Sequence, residues 1–215
     1  MTDQYAVVVN LGTMYDTPRP VGGPDRRAVL EVLTGAFMAD PVVSWLFPDE
    51  DERRRLQPRF YESLLAHPAA EAYLVGGQDG ASVWLSPAAG EPPHGEPGED
   101  PREVFGGNAA RLLTLGRLLA HRHPRDEAHL YLACMGVAPA RQGSGIGSAL
   151  LRDRLDRAEG LGVYLEAGSP RSRALYARHG FTDLGEPVDL PGGPRLWPMW
   201  RAPLTPNPTE QENTR

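Results

Sequence analysis

The chain has 215 residues, of which 40% are hydrophobic and 23% charged, a composition typical of one globular domain with a buried core. Its formal net charge of −6 argues against general nucleic-acid affinity, which depends on cationic side chains that neutralise phosphates. A single cysteine, Cys134, excludes an internal disulfide. No apolar run reaches the roughly 18 residues of a membrane span. We therefore expect a cytoplasmic protein that binds neither membranes nor nucleic acids.

Three structural signals occupy the first forty residues. A short strand is predicted over residues 5–10, and a loop rich in proline and glycine follows over residues 17–23. Asp25 has a residue type that caps helices, and the apolar residues after it recur at helical spacing, which predicts a helix over residues 26–38. An Asp-Pro pair should end this helix, because a residue that precedes proline disfavours the helical conformation.

A second helix and a hairpin are predicted next. The helical pattern follows Asp51, and Pro58 marks either its start or a kink. Residues 72–76 and 81–85 are short apolar runs separated by Gln-Asp-Gly, which predicts two paired strands and a turn over these three residues. Residues 86–101 are rich in proline and acidic side chains, as expected of an exposed loop.

The second half of the chain alternates helices and strands. Helices are predicted over 108–121, 145–159 and 171–179, and strands over 129–137, 163–167, 182–189 and 196–201. Because one crossover helix joins the strands at 129–137 and 163–167, these two strands should be parallel neighbours. The polar residues 205–215 are expected to be disordered.

The loop before the helix at 145–159 is the most informative segment. It contains Gln142-Gly-Ser-Gly-Ile-Gly147, and glycines adopt backbone conformations that are closed to other residues. The N–H groups of such a loop can converge at the positive end of the helix dipole and bind a pyrophosphate. A P-loop would need a lysine here, and a Rossmann fingerprint should open the fold rather than occur late in the chain. A plain turn with glycines for close packing is the alternative.

These residues resemble the Gcn5-related N-acetyltransferase (GNAT) superfamily. Gln142, Gly145 and Gly147 match its pyrophosphate signature, Gln/Arg-x-x-Gly-x-Gly/Ala, and Met135-Gly-Val-Ala-Pro139 resembles its strand along the pantetheine arm. Residues 165–181, which end in Leu-Tyr-Ala-Arg-His-Gly-Phe, are similar to its second signature. Within the superfamily, the chain resembles most closely the puromycin N-acetyltransferase-like bacterial members, a likeness that extends over most of the chain and is loose before residue 129.

The resemblance implies an α/β (α+β) fold with a single mixed central sheet and helices on both faces. Antiparallel N-terminal strands would precede a parallel pair that splays after residue 136. One domain would span residues 1–204, with its core motifs at 129–185, and it would use acetyl-CoA as co-substrate without a metal. The implied cofactor contacts are Met135, Gly136, Val137, Gln142, Gly143, Ser144, Gly145, Ile146, Gly147, Ser148, Ser169 and Ser172.

Two of these contacts depart from the pattern of the superfamily, which often has an asparagine before its catalytic tyrosine. This chain has Ser169 and Ser172 in that region, and a serine hydroxyl has a shorter reach. Arg141 either approaches the nucleotide phosphate or faces solvent.

Tyr176 is the predicted general acid, because its helix starts beside the end of the strand at 163–167 and a phenol can donate to a thiolate. Its alternative is a core tyrosine beside Phe181. Glu166 is the predicted general base, since its apolar strand neighbours should raise its pKa; a structural carboxylate is equally compatible. A water chain or one of His121, His123 and His129 could serve instead. Backbone N–H groups near Val137 would polarise the thioester carbonyl.

Cys134 is interpreted as a strand residue in the core rather than as a nucleophile, because no histidine is paired with it in the sequence. Asp40, Trp45 and Phe47 are predicted to line the acceptor site, with the two aromatic rings as a wall and Asp40 or Glu50 attracting an amine. A hydrophobic staple between helices would place the same aromatic residues in the core.

The expected function is acetyl-CoA-dependent N-acetylation of a primary amine on a small molecule, an antibiotic or a metabolite, by direct attack in a ternary complex. Acetylation of proteins or peptides is an alternative, and a non-catalytic regulator that binds acyl-CoA is another. The protein would be a monomer or a homodimer.

Overall fold

The computed structural model describes residues 17–86, 88–90 and 99–203. Its strands are β1 (Arg19–Pro20), β2 (Ala70–Val75), β3 (Gly80–Leu85), β4 (His129–Val137), β5 (Gly162–Ala167), β6 (Thr182–Asp183), β7 (Val188–Asp189) and β8 (Arg195–Arg201). Its helices are α1 (Arg26–Phe37), α2 (Pro41–Leu46), α3 (Glu50–Leu65), α4 (Pro101–Phe105), α5 (Ala109–Arg122), α6 (Ile146–Leu155) and α7 (Pro170–Arg178). The strand predicted over 5–10, much of the loop predicted over 86–101 and the tail at 205–215 lie outside the described residues.

One mixed sheet organises the molecule, in the order β1-β2-β3-β4-β5-β8-β6, with β7 paired to β8. Neighbouring strands are antiparallel except for β4 and β5, which run parallel. The crossover through α6 brings the chain back to the same end of the sheet, as a parallel pair requires. The predicted fold class and the predicted parallel pair are confirmed.

Both faces of the sheet carry helices, because side chains alternate between faces along each strand. Leu130 and Leu132 of β4 pack with Leu150 and Leu151 of α6 on one face. On the other face, Leu33 and the rest of the buried side of α1 pack against β2 and β3. Within the described parts of the chain, no helix is long and apolar enough to cross a membrane.

Two aspartates at helix ends behave differently from the prediction. Asp25 makes no capping bond to α1, because its carboxylate accepts from the Arg19 guanidinium at 2.6 and 2.9 Å. The predicted cap is therefore wrong. The Asp-Pro pair that follows α1 starts a further helix: Asp40 accepts from the N–H groups of Val42 and Val43 at 2.9 and 3.1 Å. Proline suits the first position of α2, where an N–H has no helical partner.

Three other boundaries differ from the prediction. The turn between β2 and β3 uses Gly76 and Gly77, both at positive φ, and Gly80 already belongs to β3. Pro58 lies inside α3 and does not start it. The strand predicted over 182–189 is two separate two-residue strands, β6 and β7.

A bulge in β4 lies at the point where β4 and β5 separate. In its pairing with β3, Val83 lies opposite Cys134 and Trp84 opposite Leu132, so Ala133 has no counterpart. Such an extra residue bends a strand and increases its twist. The pairing of β4 with β5 ends at Leu132 and Leu165, so the expected splay after residue 136 is wrong and the strands part directly before the bulge.

Candidate active site

A cavity of about 1700 Å³ lies where β4 and β5 separate. The second half of β4, Glu166 of β5, the glycine loop and the start of α7 line it, together with parts of α1, α2, α3 and α5. Beyond Leu132, β4 keeps its pairing with β3 but not with β5. One edge of β4 therefore faces the cavity and offers backbone groups to a ligand.

The glycine loop forms the entry to α6. Gly143 and Gly145 have φ of 83° and 91°, a region that residues with a Cβ rarely adopt. Gly145 caps α6 without a side-chain bond, which leaves N–H groups of the first turn for a ligand. The Gln142 amide donates to the Val137 carbonyl at 3.3 Å and so ties the loop to the end of β4. This geometry fits a pyrophosphate.

Most of the predicted cofactor contacts come together at this cavity. The lining includes Met135, Gly136, Val137, Gln142, Gly143, Gly145, Ile146, Gly147, Ser148, Ser169 and Ser172. Ser144 is not part of the lining, and its hydroxyl donates to the Arg141 carbonyl. The Arg141 guanidinium also lines the cavity and lies 3.1 Å from the Asp79 carboxylate.

Ser169 and Ser172 form a capping box at the start of α7. The Ser172 N–H donates to the Ser169 hydroxyl, and the Ser169 N–H donates to the Ser172 hydroxyl, both at 3.1 Å. The two side chains therefore hold the helix end that carries Tyr176. A contact from either hydroxyl to a cofactor would have to share or replace a capping bond.

Tyr176 lies on α7, is 7% exposed and lines the cavity. Its ring contacts Phe181, with centroids 5.9 Å apart. Burial raises the pKa of its hydroxyl, and the neighbouring Cys134 raises it further. The hydroxyl therefore stays protonated at neutral pH, as a donor must. The position of Tyr176 in the cavity lining fits the catalytic interpretation, and its contact with Phe181 fits the core interpretation.

Glu166 presents a carboxylate to the cavity from the opposite side. Its Oε2 accepts from the Tyr131 hydroxyl at 2.9 Å. Its Oε1 is buried and has no hydrogen-bond partner among the described residues. Burial raises the pKa of Glu166 to about 7, although the hydroxyls of Tyr131 and Tyr164 lower it in part. A carboxyl that titrates near neutral pH in a cavity has the property of a general base.

The histidines that were alternative bases lie elsewhere. His123 and His129 are buried with their Nε2 atoms 2.9 Å apart, and His129 Nδ1 lies 2.9 Å from the Glu127 carbonyl. Neither these two nor the exposed His121 lines the cavity. The described residues contain no group of three or more histidine, cysteine or acidic side chains that could hold a metal.

Cys134 lines the cavity. Burial raises the pKa of its thiol to about 12, and only the thiolate is a good nucleophile. An acetyl-enzyme through this residue is therefore disfavoured at neutral pH.

The predicted acceptor residues divide into two groups. Asp40 lines the cavity, and burial raises its pKa while the capping bonds from Val43 and Val42 lower it. Trp45 and Phe47 do not belong to the lining. The Trp45 indole donates to the Pro191 carbonyl at 3.0 Å, and Phe47 is fully buried beside Phe105. The predicted aromatic wall is therefore wrong, because both rings pack against other segments of the protein.

The Glu50 carboxylate, the other acidic group expected near the acceptor, pairs with Arg54 at 2.8 Å on the exposed surface of α3. It does not line the cavity.

The sequence analysis missed one wall of the cavity. It is formed by an apolar side of α5 and by α2, through Leu112, Leu115, Gly116, Leu119, Val42, Val43 and Leu46. The leucine spacing in α5 predicts a helix with an apolar side. The same spacing is also typical of a helix that packs entirely against protein, so it does not by itself indicate a cavity.

Comparison with known proteins agrees with this geometry. Residues 107–181 match the model of the acetyltransferase (GNAT) family, a segment that holds the glycine loop, Glu166 and Tyr176. A solved structure from Corynebacterium glutamicum, named as histone acetyltransferase HPA2 and related acetyltransferase, is 26% identical in sequence to this chain. The alignment has a TM-score of 0.68 and covers 90% of this chain and 99% of that one.

Two other solved structures share the fold at lower identity. Arylalkylamine N-acetyltransferase 2 from Aedes aegypti is 14% identical, with a TM-score of 0.59 over 86% of this chain and 97% of that one. A ribosomal-protein-alanine N-acetyltransferase from Escherichia coli is 16% identical, with a TM-score of 0.50 over 93% and 98% of the two chains.

Proposed function

We propose that this chain is an N-acetyltransferase of the GNAT type and that it acetylates the primary amine of a small molecule, an antibiotic or a metabolite, by direct attack in a ternary complex. The observation that carries the proposal is the buried Glu166 carboxylate, which lines the same cavity as the glycine loop and whose Oε1 has no hydrogen-bond partner among the described residues. A base and a pyrophosphate site in one cavity are what this transfer requires.

The residues around the loop fit acetyl-CoA, which the family uses as co-substrate. Gln142, Gly143, Gly145 and the first turn of α6 would hold the pyrophosphate, and the free edge of β4 from Ala133 to Val137 would pair with the pantetheine arm. Bound there, acetyl-CoA supplies an activated thioester. Backbone N–H groups near Val137 would stabilise the negative charge that develops on the carbonyl oxygen.

Two side chains would move the protons. Glu166 would accept the proton that the amine loses, and its pKa of about 7 keeps a large fraction of it ionised at neutral pH. Tyr176 would donate to the departing sulfur, and the Ser169 and Ser172 capping box would hold its helix in place. The neutral amine loses one proton as the amide forms and the sulfur gains one, and an amine that arrives as an ammonium ion first releases a further proton to solvent.

The proposed acceptor class is argued from the residues that line the cavity. Asp40 would attract a cationic amine, and α2 and α5 supply apolar surface. The similarity to a histone acetyltransferase favours a peptide acceptor as the second candidate. Membership among puromycin N-acetyltransferase-like enzymes, a single domain over residues 1–204, a cytoplasmic location and a monomeric or homodimeric state stay predictions.

The test measures coenzyme A release from acetyl-CoA with puromycin, an aminoglycoside, a polyamine, amino acids and short peptides as acceptors. Tyr176→Phe and Glu166→Gln are expected to lower the rate strongly. Tyr73→Phe is a matched control, because its hydroxyl pairs with Glu71 and Arg157 away from the cavity lining.

Peptide-specific release would favour the second candidate. Tight acetyl-CoA binding without release for any acceptor would favour a regulator that binds acyl-CoA, and the absence of binding would refute the proposed function.

A further inference from the structure

One side of α5 forms a wall of the cavity at positions that share a helix face. Leu112, Leu115, Gly116 and Leu119 line the cavity and follow the spacing i, i+3, i+4 and i+7. Three of the four carry large apolar side chains. Gly116, near the middle of the helix, leaves a gap in this leucine surface.

The packing around Gly116 does not require a glycine. Its φ is not in the left-handed region, and a Cβ built on it would have no atom of the described residues within 4 Å. Glycine in a helix interior is destabilising relative to alanine. Gly116 lines the cavity, so within the described part of the chain the space beside it belongs to the cavity and not to a neighbouring element.

The lining of the cavity to which this space belongs includes apolar walls and a carboxylate. Val42, Val43 and Leu46 of α2 extend the apolar wall, and Leu85 and Tyr131 lie on the sheet. Glu166 of β5 also lines the cavity, and among the described residues its Oε1 has no hydrogen-bond partner.

An acceptor with an apolar body would be desolvated favourably against these walls, while its amino group met a carboxylate. A polyhydroxylated or polycationic acceptor would instead leave polar groups without partners against the same surface.

We propose that Gly116 provides the room for the apolar part of the acceptor, so that the chain selects primary amines with a bulky apolar or aromatic substituent over small or highly polar amines. This inference rests on the proposed function, because it assigns the acceptor class of the same site. Gly116 is thus a specificity-determining residue.

The experiment compares Gly116→Leu, Gly116→Ala and Gly35→Leu with the wild-type protein. Gly35 is a matched control, because it lies within α1 and is exposed and away from the cavity lining. A Cβ there would also meet no atom of the described residues within 4 Å. Each variant is assayed for kcat/KM with tryptamine, ethylamine and spermidine. Binding of acetyl-CoA, and of tryptamine to the protein saturated with coenzyme A, is measured by calorimetry.

We expect the wild type to prefer tryptamine over ethylamine and spermidine. Gly116→Leu should lower the tryptamine-to-ethylamine ratio of kcat/KM by roughly tenfold or more, the scale at which pocket contacts discriminate substrates. Gly116→Ala should show a smaller effect, and Gly35→Leu should keep the wild-type ratio. The affinity for acetyl-CoA should be the same in all four proteins.

Equal losses for tryptamine and ethylamine in Gly116→Leu, or a wild-type preference for spermidine, would overturn the inference. The binding measurement separates it from the proposed function. If tryptamine binds, Gly116→Leu weakens that binding and no amine is turned over, the role of Gly116 in acceptor binding is supported and the proposed enzymatic function is refuted. If amines are turned over but Gly116→Leu does not change the selectivity, the proposed function is supported and the role of Gly116 is refuted.

Discussion

Replacement of Glu166 by glutamine should stabilise the folded protein, and the gain should grow with pH. Glutamine keeps the shape of the side chain, and its amide oxygen can still accept from the Tyr131 hydroxyl, as Oε2 does now. The substitution removes the charge, which burial disfavours. Its effect on stability therefore isolates the cost of ionising a carboxyl at this position.

The magnitude follows from the pKa of Glu166, which burial raises from 4.5 to about 7. This difference corresponds to ~3 kcal/mol between the ionised and protonated forms in the folded state. Because the folded pKa is the higher one, the folded protein holds this proton more tightly than the unfolded chain. Between pH 4.5 and 7 the wild type therefore loses stability as pH rises, whereas the glutamine variant does not.

Urea denaturation of both proteins from pH 4 to 8.5 tests this expectation. The stability difference should be small at pH 4, rise through pH 5 to 7 and level off above pH 7 at ~3 kcal/mol in favour of the variant. Glu62→Gln is the control, because that side chain is 49% exposed on the surface. A stability difference for Glu166→Gln that does not change with pH would refute the reasoning.

Three further predictions concern other parts of the site. Asp40→Ala removes the cap of α2 and should cost about 1 kcal/mol in urea denaturation; an equal effect of Asp51→Ala, whose side chain is 94% exposed, would contradict this. Gly145→Ala places a Cβ at a φ of 91° and should cost roughly 1–2 kcal/mol as well as weaken acetyl-CoA binding in calorimetry. Gly107→Ala, where a Cβ meets no atom within 4 Å, should do neither. Cys134, whose thiol pKa burial raises to about 12, should react with iodoacetamide at pH 7.5 far more slowly in the folded than in the unfolded chain. Equal rates by mass spectrometry would show that the folded structure neither shields this thiol nor suppresses its ionisation.

The elements with strong local signals could be predicted from the sequence. The apolar run at β4, the leucine spacing of α5 and the glycine that follows α7 each specify an element within one or two residues. The parallel pairing of β4 and β5 follows from the crossover rule. The glycine loop could be placed because positive φ at Gly143 and Gly145 demands that residue type.

Other features depend on tertiary contacts that one sequence does not reveal. The six residues of α2 are too few for a periodic pattern, and the helix is fixed by the Asp40 cap and by packing. The aromatic character of Trp45 and Phe47 indicates burial but not the partner, and the partners are other segments of the protein. Ser169 has a residue type that suits both a ligand contact and a helix cap. The apolar side of α5 predicts burial, whereas the space in front of Gly116 depends on how far α5 lies from the sheet.

The bulge at Ala133 also changes which side chains of β4 face each side of the sheet. Ala133 and Cys134 both pack on the α1 side of the sheet, and beyond them every side chain is out of phase with the first half of the strand. Met135 and Val137 consequently join the core beneath α6 and α7, and Gly136 turns to α1, where a Cβ would lie 2.8 Å from that of Ala36. Deletion of Ala133 would therefore remove the bulge and keep the facing of the cofactor segment, because Cys134 would follow Leu132 directly opposite Val83 and Trp84. Without a bulge, the same residues in regular alternation would place Met135 on the α1 side.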